Sequence, residues 1–243
     1  MPRELVILGA GLDSRPHRMK ELVNARVVEV DQPAMVAAKR EATRGLGTHV
    51  ECVPIDFETE RLEDRVEVRS KAFFIWEGVT QYLRRAAVDE VLRFVARAPR
   101  GSELVFTYLP LEVIEGRSTL FGAAAAKSAS KGAPWITGFD PALLGQELHG
   151  LGLELCEDFG AAEHRARYLA PIGRTDRAHC PRAGALTGAF RSESRRGRRR
   201  RRGWPACRST PRRPHPLPRG RRPRGARRRS WTWPVASDGS HGR

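Results

Sequence analysis

The sequence is poor in cysteine and contains no long apolar run. Its four cysteines stand far apart with no paired spacing, at Cys52, Cys156, Cys180 and Cys207, which argues against a zinc motif and a small disulfide framework. No apolar run approaches the roughly 18 residues that a membrane-spanning helix needs, and no charged and then apolar leader follows Met1. These absences predict a reduced, cytoplasmic protein with no metal site and no membrane partner.

Lysine is missing from one part of the chain, residues 183–243, which we call the arginine-rich tail. The tail holds 19 arginines and two acidic residues, whereas residues 1–182 hold 25 basic and 26 acidic residues. The net charge of +16 and the pI near 11.0 therefore describe the tail and not the rest of the chain. We expect two parts: a globular core over 1–182 and a disordered tail over 183–243.

The tail has two interpretations. Arg, Pro, Gly and Ala make up 40 of its 61 residues, and all four are encoded by codons rich in G and C, so the tail is hypothesised to be an out-of-frame product of a GC-rich gene. The alternative is a nucleic-acid-binding arm, in which arginines contact phosphates and Trp204, Trp231 and Trp233 stack on bases. Arginine without any lysine fits codon bias better than selection for charge, so nucleic acid is not the expected partner.

Strand-like and helix-like segments alternate through the core. Helical spacing marks Ala34–Arg44, Ala86–Arg97 and Asp140–Leu151, and Pro110–Pro134 reads as an alanine-rich insertion that could cover one edge of the sheet. The predicted strands are Leu5–Leu8, Arg26–Val30, His49–Ile55, Lys71–Trp76, Glu103–Tyr108 and Leu153–Cys156. This alternation predicts an α/β fold, a mostly parallel sheet with helices on both faces.

A glycine turn follows the first strand, in the stretch L-V-I-L-G-A-G-L-D-S-R. Gly9 and Gly11 allow the backbone to approach a ligand, although a lone G-x-G is equally compatible with a tight turn alone. Asp31 ends the second strand, 20 residues beyond Gly11, where an acid can accept hydrogen bonds from ribose hydroxyls. Asp56 ends the third strand beside Phe57, and each acid alone is also compatible with a helix cap.

The turn favours a sulfonium cofactor over a dinucleotide. Dinucleotide sites prefer a third glycine where this chain has Ser14. The carboxylate of Asp13 is a poor neighbour for a pyrophosphate and a tolerable one for a cation. An NAD-dependent oxidoreductase remains a weaker alternative.

Four motifs in order resemble the leucine carboxyl methyltransferase family, in particular its bacterial branch of S-adenosylmethionine-dependent O-methyltransferases. They are G-A-G-L-D-S-R (9–15), E-V-D-Q-P (29–33), V-P-I-D-F (53–57) and W-E-G-V-T-Q-Y-L (76–83), and the likeness extends over residues 4 to 180. The resemblance implies a Rossmann-like class I methyltransferase fold and S-adenosyl-L-methionine as the cofactor.

The resemblance also implies roles for individual residues. The turn with Gly9 and Gly11 would lie alongside the methionine part of the cofactor. Asp31 would bind the ribose, and Asp56 and Phe57 would hold the adenine. Glu77 would face the methionine end, with a helix cap as its alternative. Arg15 could bind a carboxylate of a ligand or form a surface ion pair. Tyr82 could lie in the core or in the wall of a pocket.

The expected reaction is O-methylation of a hydroxyl or carboxyl group on a small molecule. A carboxylate acceptor needs no base, and no histidine is assigned as a base for a hydroxyl. From the resemblance we expect two departures from the family, which would leave this chain inactive: the family's N-terminal helical segment, which supplies an arginine to the cofactor, is expected to have no counterpart, and its last antiparallel strand is expected to be missing after Arg182. Neither the acceptor nor the oligomeric state is predicted.

Overall fold

The computed structural model describes residues 3–46, 49–118, 122–130, 132–173 and 186–192. All of them lie in the first of two compact units of the chain, Met1–Arg201. The predicted disorder of the tail and its alternative role in nucleic-acid binding depend on positions that, apart from 186–192, lie outside the described residues. No helix of the described residues is long and apolar enough to span a bilayer.

The described ranges contain seven strands and seven α-helices. The strands are β1 (Glu4–Leu8), β2 (Arg26–Asp31), β3 (Val50–Pro54), β4 (Ala72–Trp76), β5 (Glu103–Tyr108), β6 (Leu153–Phe159) and β7 (Leu186–Ser192). The helices are α1 (Arg15–Arg18), α2 (Pro33–Ala42), α3 (Arg85–Ala96), α4 (Leu111–Ile114), α5 (Gly122–Ser130), α6 (Leu144–Leu151) and α7 (Ala161–His164). Short 3₁₀ turns cover Lys20–Leu22, Leu62–Asp64, Thr80–Tyr82 and Ala170–Ile172, and a π-helical turn covers Arg165–Leu169.

These strands form one sheet in the order β3-β2-β1-β4-β5-β7-β6. The first five are parallel, and β7 runs antiparallel between β5 and β6. Leu8 is in register with Val30 of β2 and with Trp76 of β4, so the carboxyl ends of these three strands meet at one edge. The predicted α/β sheet with helices is therefore confirmed.

Alternation along the buried strands divides the core between the two faces of the sheet. On one face, Val6, Leu8, Val28 and Val30 belong to a large cluster with the apolar stripe of α3 and with Leu148 of α6. On the other, Leu5, Ile7 and Val27 form a smaller cluster with Ala10 and Ile75. Both faces of the central strands are covered, which is why their sequences read as continuous apolar runs.

Helix ends follow local chemistry. Pro33 starts α2 at a position where its missing N–H would have no partner, and Gly152 ends α6 in the left-handed region with φ of +90°. The predicted helix over Asp140–Leu151 is too long at its start. Asp140 instead forms a turn in which its side chain accepts the Ala142 amide at 2.9 Å, and α6 begins at Leu144.

Strand β7 differs from the expectation that regular structure ends at Arg182. Residues 186–192 form a complete antiparallel ladder with β5, from Glu103 opposite Arg191 to Tyr108 opposite Leu186. They also pair with β6, with one register shift between Leu155 and Glu157. The sheet therefore contains the last strand that the sequence interpretation expected to be missing, because β5 and β6 offer hydrogen-bonding edges on both sides of it.

Candidate functional site

The glycine turn connects β1 to α1 and is held by β2. The amides of Gly9 and Ala10 both donate to the Val30 carbonyl, at 2.8 and 3.1 Å. Gly9 and Gly11 have φ of +65° and +47°, which favour glycine.

The two glycines differ in what surrounds them. A Cβ added at Gly9 would lie 2.3 Å from Cγ2 of Val79, so the space beside Gly9 is filled by protein. A Cβ added at Gly11 would meet no atom within 4 Å. Gly9 is therefore needed for packing, and Gly11 is the glycine that leaves open space at the sheet edge.

Asp31 faces this turn from the end of β2. Its Oδ2 accepts the amide of Gly11 at 2.6 Å, and its Oδ1 accepts the amide of Gln32 at 2.7 Å. Each carboxylate oxygen has two acceptor positions, so both oxygens keep capacity for a further hydrogen bond. The carboxylate is partly exposed, and it is fixed beside the open glycine.

Asp56 caps the turn that follows β3. Its Oδ1 accepts the Glu58 amide at 2.9 Å, while its own amide donates to Glu60 Oε2 at 2.9 Å. This hydrogen bond caps a turn and not a helix, and it leaves Oδ2 without a hydrogen-bond partner among the residues that the structure describes.

Phe57 does not present its ring at the sheet edge. It is only 8% exposed and belongs to the larger core cluster. Its ring meets that of Trp76 edge to face, with centroids 6.4 Å apart. Phe57 would therefore contact adenine through its backbone or affect adenine binding by shaping the pocket wall. Its aromatic face is not exposed to a ligand.

Glu77 follows β4 and forms an ion pair with Arg15. The same guanidinium binds Asp13, with 2.7 Å from Nε to Oδ2, and the Arg15 amide donates to Asp13 Oδ1 at 2.8 Å. Burial lowers the pKa of Arg15, but the bonds with Glu77 and Asp13 outweigh it, so the pKa is raised. The charge of Asp13 is thus paired within the turn and does not face a ligand alone, as the sequence argument had assumed.

A buried ion pair lies beneath Asp31 and was missed by the sequence analysis. Glu29 of β2 and Lys39 of α2 are almost completely buried, with 2.7 Å between Oε2 and Nζ. Burial raises the pKa of Glu29, and the Lys39 ammonium opposes that rise. The pair lines a small recess that also includes Gly11 and Asp31. A glutamate inside the apolar run R-V-V-E-V was the available signal, because a buried charge requires a partner.

The segment just after the insertion lies beside the loop that follows β4. The Ile136 amide donates to the Gln81 carbonyl at 2.8 Å. Tyr82 is 41% exposed, so it is not a core residue. Burial raises the pKa of Tyr82, but the polar groups of Trp135, Ser128 and Gln81 beside it outweigh that effect and lower its pKa.

Within the described ranges, two histidines near the glycine turn contact each other. His17 and His49 contact each other with ring centroids 5.7 Å apart, and His49 Nε2 bonds the Pro16 carbonyl at 3.0 Å. In the same ranges no three His, Cys, Asp or Glu side chains are grouped as metal ligands.

Comparisons with known proteins agree with this architecture. Residues 2–96 match the family model described as leucine carboxyl methyltransferase. A protein of Bacillus subtilis (strain 168), named "Putative S-adenosyl-L-methionine-dependent methyltransferase YktD", is 30% identical over 167 residues, which are 64% of this chain and 55% of that protein. The chain thus spans about half the length of the curated relatives it matches.

Solved structures show the fold. A DUF574 family protein from Streptomyces avermitilis has a TM-score of 0.55 at 20% identity, covering 79% of this chain and 76% of its own. The mitomycin 7-O-methyltransferase MmcR has a TM-score of 0.53 at 14% identity, covering 79% and 49%. Over residues 2–96, which contain the four motifs, the chain is therefore similar to the leucine carboxyl methyltransferase family.

Proposed function

We propose that this chain binds S-adenosyl-L-methionine at the carboxyl edge of β1, β2 and β4 and transfers its methyl group to an oxygen of a small molecule. The observation that carries the proposal is the hydrogen bond of 2.6 Å between the Gly11 amide and Asp31. This bond holds the Asp31 carboxylate, which has free acceptor positions, beside Gly11. Gly11 is the glycine of this turn that has open space around it.

The residues present fit the parts of such a cofactor. Asp31 has acceptor capacity for ribose hydroxyls, and Asp56 lies at the end of β3, next to β2 in the sheet. Glu77 is half exposed at the end of β4, on the opposite side of β1 from Asp31. Carboxylates on both sides of the turn favour a cationic ligand.

The cofactor, when bound, supplies a methyl group on a positively charged sulfur. The protein's part is to hold an acceptor oxygen in line with that group, which removes much of the entropic barrier. A carboxylate acceptor needs no base, whereas a hydroxyl acceptor needs one within hydrogen-bond reach. Tyr82, exposed and with a lowered pKa, is the side chain that we assign to the wall of the acceptor site.

Calorimetric titration with S-adenosylhomocysteine tests the proposal. We expect binding by the wild type and a loss of about 10- to 100-fold in Asp31→Asn, because a hydrogen bond to a charged group contributes about 1.5–3 kcal/mol. Asp64→Asn is the matched control, since Asp64 is exposed in the turn after β3. Wild-type protein that melts cooperatively but gives no binding heat would contradict the proposal, as would equal affinities of Asp31→Asn and Asp64→Asn.

A further inference from the structure

The buried ion pair and Asp31 lie on the same face of β2. Glu29 and Asp31 are two residues apart in this strand, so both side chains leave the sheet on one face, with their Cα atoms about 6.6 Å apart. Lys39 of α2 meets Glu29 with 2.7 Å between Nζ and Oε2, and the two side chains are only 5% and 3% exposed. One buried ammonium thus serves a face that carries two carboxylates.

The recess beside the glycine turn connects Lys39 with both carboxylates. Lys39, Glu29, Asp31 and Gly11 all line it. An ammonium has three N–H donors, and Glu29 is the carboxylate with which the structure pairs that of Lys39. Because lysine has a flexible four-carbon stem, Nζ is able to turn from Glu29 towards Asp31 across this recess.

The partner of Lys39 decides what a ligand meets at the sheet edge. While Lys39 pairs with Glu29, Asp31 is held by the amides of Gly11 and Gln32, at 2.6 and 2.7 Å, and keeps acceptor capacity. A bond between Lys39 and Asp31 would occupy acceptor positions of that carboxylate and draw it into the recess. Ribose hydroxyls would then lose an acceptor, and a sulfonium would lose part of its attraction to this edge.

Burial makes the ammonium dependent on a carboxylate. A charge that is buried without a partner is costly, so loss of the negative charge at Glu29 would leave Lys39 in need of another anion. Asp31 is the other carboxylate that lines the recess. Loss of the Glu29 charge should therefore transfer Lys39 to Asp31.

We propose that Glu29 is a positioning residue of the cofactor site, which holds Lys39 away from Asp31 and so keeps the Asp31 carboxylate available to the ribose. Glu29 and Lys39 act through Asp31 and do not themselves contact the cofactor. This inference rests on the proposed function, and it concerns two residues to which the sequence analysis gave no role.

Calorimetric titration with S-adenosylhomocysteine at pH 8 tests the assignment. Glu29→Gln keeps the shape of the side chain but removes its charge, and it should weaken binding by about tenfold or more because Asp31 then pairs with Lys39. Glu29→Gln combined with Lys39→Met removes the competing ammonium, and affinity should return to within about twofold of the wild type. Glu51→Gln is the control and should bind like the wild type, because Glu51 is an exposed glutamate of the adjacent strand β3 that pairs with Arg26.

The stoichiometry of the same titrations separates binding from folding, because loss of folded protein lowers the number of sites. Wild-type affinity in Glu29→Gln at full stoichiometry would overturn the inference while the proposed function stands. An equal loss in Glu29→Gln and in the double variant would also overturn it. If the wild type does not bind S-adenosylhomocysteine, the proposed function fails and this inference fails with it.

The pH dependence of binding gives a second test that does not require Glu29→Gln to fold. The side chains that face Glu29 from other segments are Lys39 of α2, His17 of α1, Asp13 of the glycine turn and Cys52 of β3. Burial raises the pKa of Glu29, the charges of Lys39 and His17 oppose that rise, and the charge of Asp13 adds to it. Protonation of Glu29 therefore begins above the ordinary glutamate pKa and should release Lys39 as Glu29→Gln does.

Affinity of the wild type for S-adenosylhomocysteine should accordingly fall between pH 8 and pH 5. The double variant keeps Asp31, Asp13 and His17 but lacks the pair, so its affinity should fall less over the same range. Thermal melting at each pH establishes that both proteins are folded. Parallel pH profiles of the two proteins would overturn the inference.

Discussion

Replacing Gly9 by alanine tests whether this glycine serves packing or ligand approach. The residue has φ of +65°, and an added Cβ would lie 2.3 Å from Val79 Cγ2, far inside van der Waals contact. Val79 follows β4 and is partly buried against the main core. Gly11 is the natural comparison, because it also has positive φ but no atom within 4 Å of an added Cβ.

The expected cost of Gly9→Ala has two parts. A left-handed conformation costs an L-residue about 1–2 kcal/mol. Forcing an extra methyl group into a filled site costs about 1–3 kcal/mol more. Gly9→Ala should therefore lower the free energy of unfolding by about 2–5 kcal/mol, whereas Gly11→Ala should lower it by about 1–2 kcal/mol.

Urea unfolding followed by circular dichroism measures both values. The decisive comparison is made in a Val79→Ala background, where the methyl group introduced by Gly9→Ala no longer meets Cγ2. There the cost of Gly9→Ala should fall to the backbone part, about 1–2 kcal/mol. If Gly9→Ala costs the same with valine and with alanine at position 79, the packing argument is refuted.

Three further predictions concern buried polar groups. Lys39→Met should lower the free energy of unfolding by about 3–5 kcal/mol, because it leaves Glu29 unpaired. The pKa of Glu29 is raised in the folded state, so stability falls as pH rises above the ordinary glutamate pKa. The loss of stability in Lys39→Met should therefore be smaller at pH 5 than at pH 8, and equal losses in urea unfolding at the two pH values would contradict this. Tyr108→Phe should cost about 1–2 kcal/mol, because the buried Tyr108 hydroxyl donates to Asp158 at 2.9 Å, and an unchanged melting temperature would contradict it. Ser102→Ala should cost about 1–3 kcal/mol, since Oγ accepts the Ala72 amide at 3.1 Å; binding of S-adenosylhomocysteine, measured by calorimetry, should stay unchanged, and weaker binding would show that the site is coupled to this end of β4.

The parallel part of the sheet could be predicted from the sequence because its strands are covered on both faces. Glu103–Tyr108 has the predicted bounds, and β1 to β4 differ from their predictions by at most one residue at either end. Helix starts and stops were recognisable where Pro33 and Gly152 impose them. The start of α6 was not, because the Asp140 turn competes with helix formation through a side-chain hydrogen bond.

Strand β7 could not be predicted, because its stability depends on its neighbours. The sequence L-T-G-A-F-R-S lies within a composition typical of disorder. Its backbone groups bond to β5 on one side and to β6 on the other. A strand inserted between two existing edges takes its register from them, and local propensity has little influence.

Within the site, the backbone positions were easier to predict than the side-chain partners. Asp31 lies at the glycine turn as its place at the end of β2 implied. Phe57 was expected beside a ligand, but its ring packs on Trp76, and nothing in V-P-I-D-F shows on which side the ring lies. The bond between Arg15 and Glu77 joins the start of α1 to the loop after β4, two segments that are remote in sequence, and only the order of the strands brings them together.

The charges at the site still favour a cationic ligand, but Asp13, on which the sequence argument depended, is not the residue responsible. Asp13 is neutralised by Arg15 within the glycine turn. Glu77 shares the same guanidinium, so one cation balances two carboxylates there, and Asp31 accepts its hydrogen bonds from the backbone amides of Gly11 and Gln32. A pyrophosphate at this edge would meet the Asp31 carboxylate on one side of β1 and, on the other, the one net negative charge that Asp13, Arg15 and Glu77 share, whereas a sulfonium would be attracted by both. The preference for a sulfonium cofactor therefore depends on Asp31 and Glu77, the two acids at the ends of the strands that flank β1.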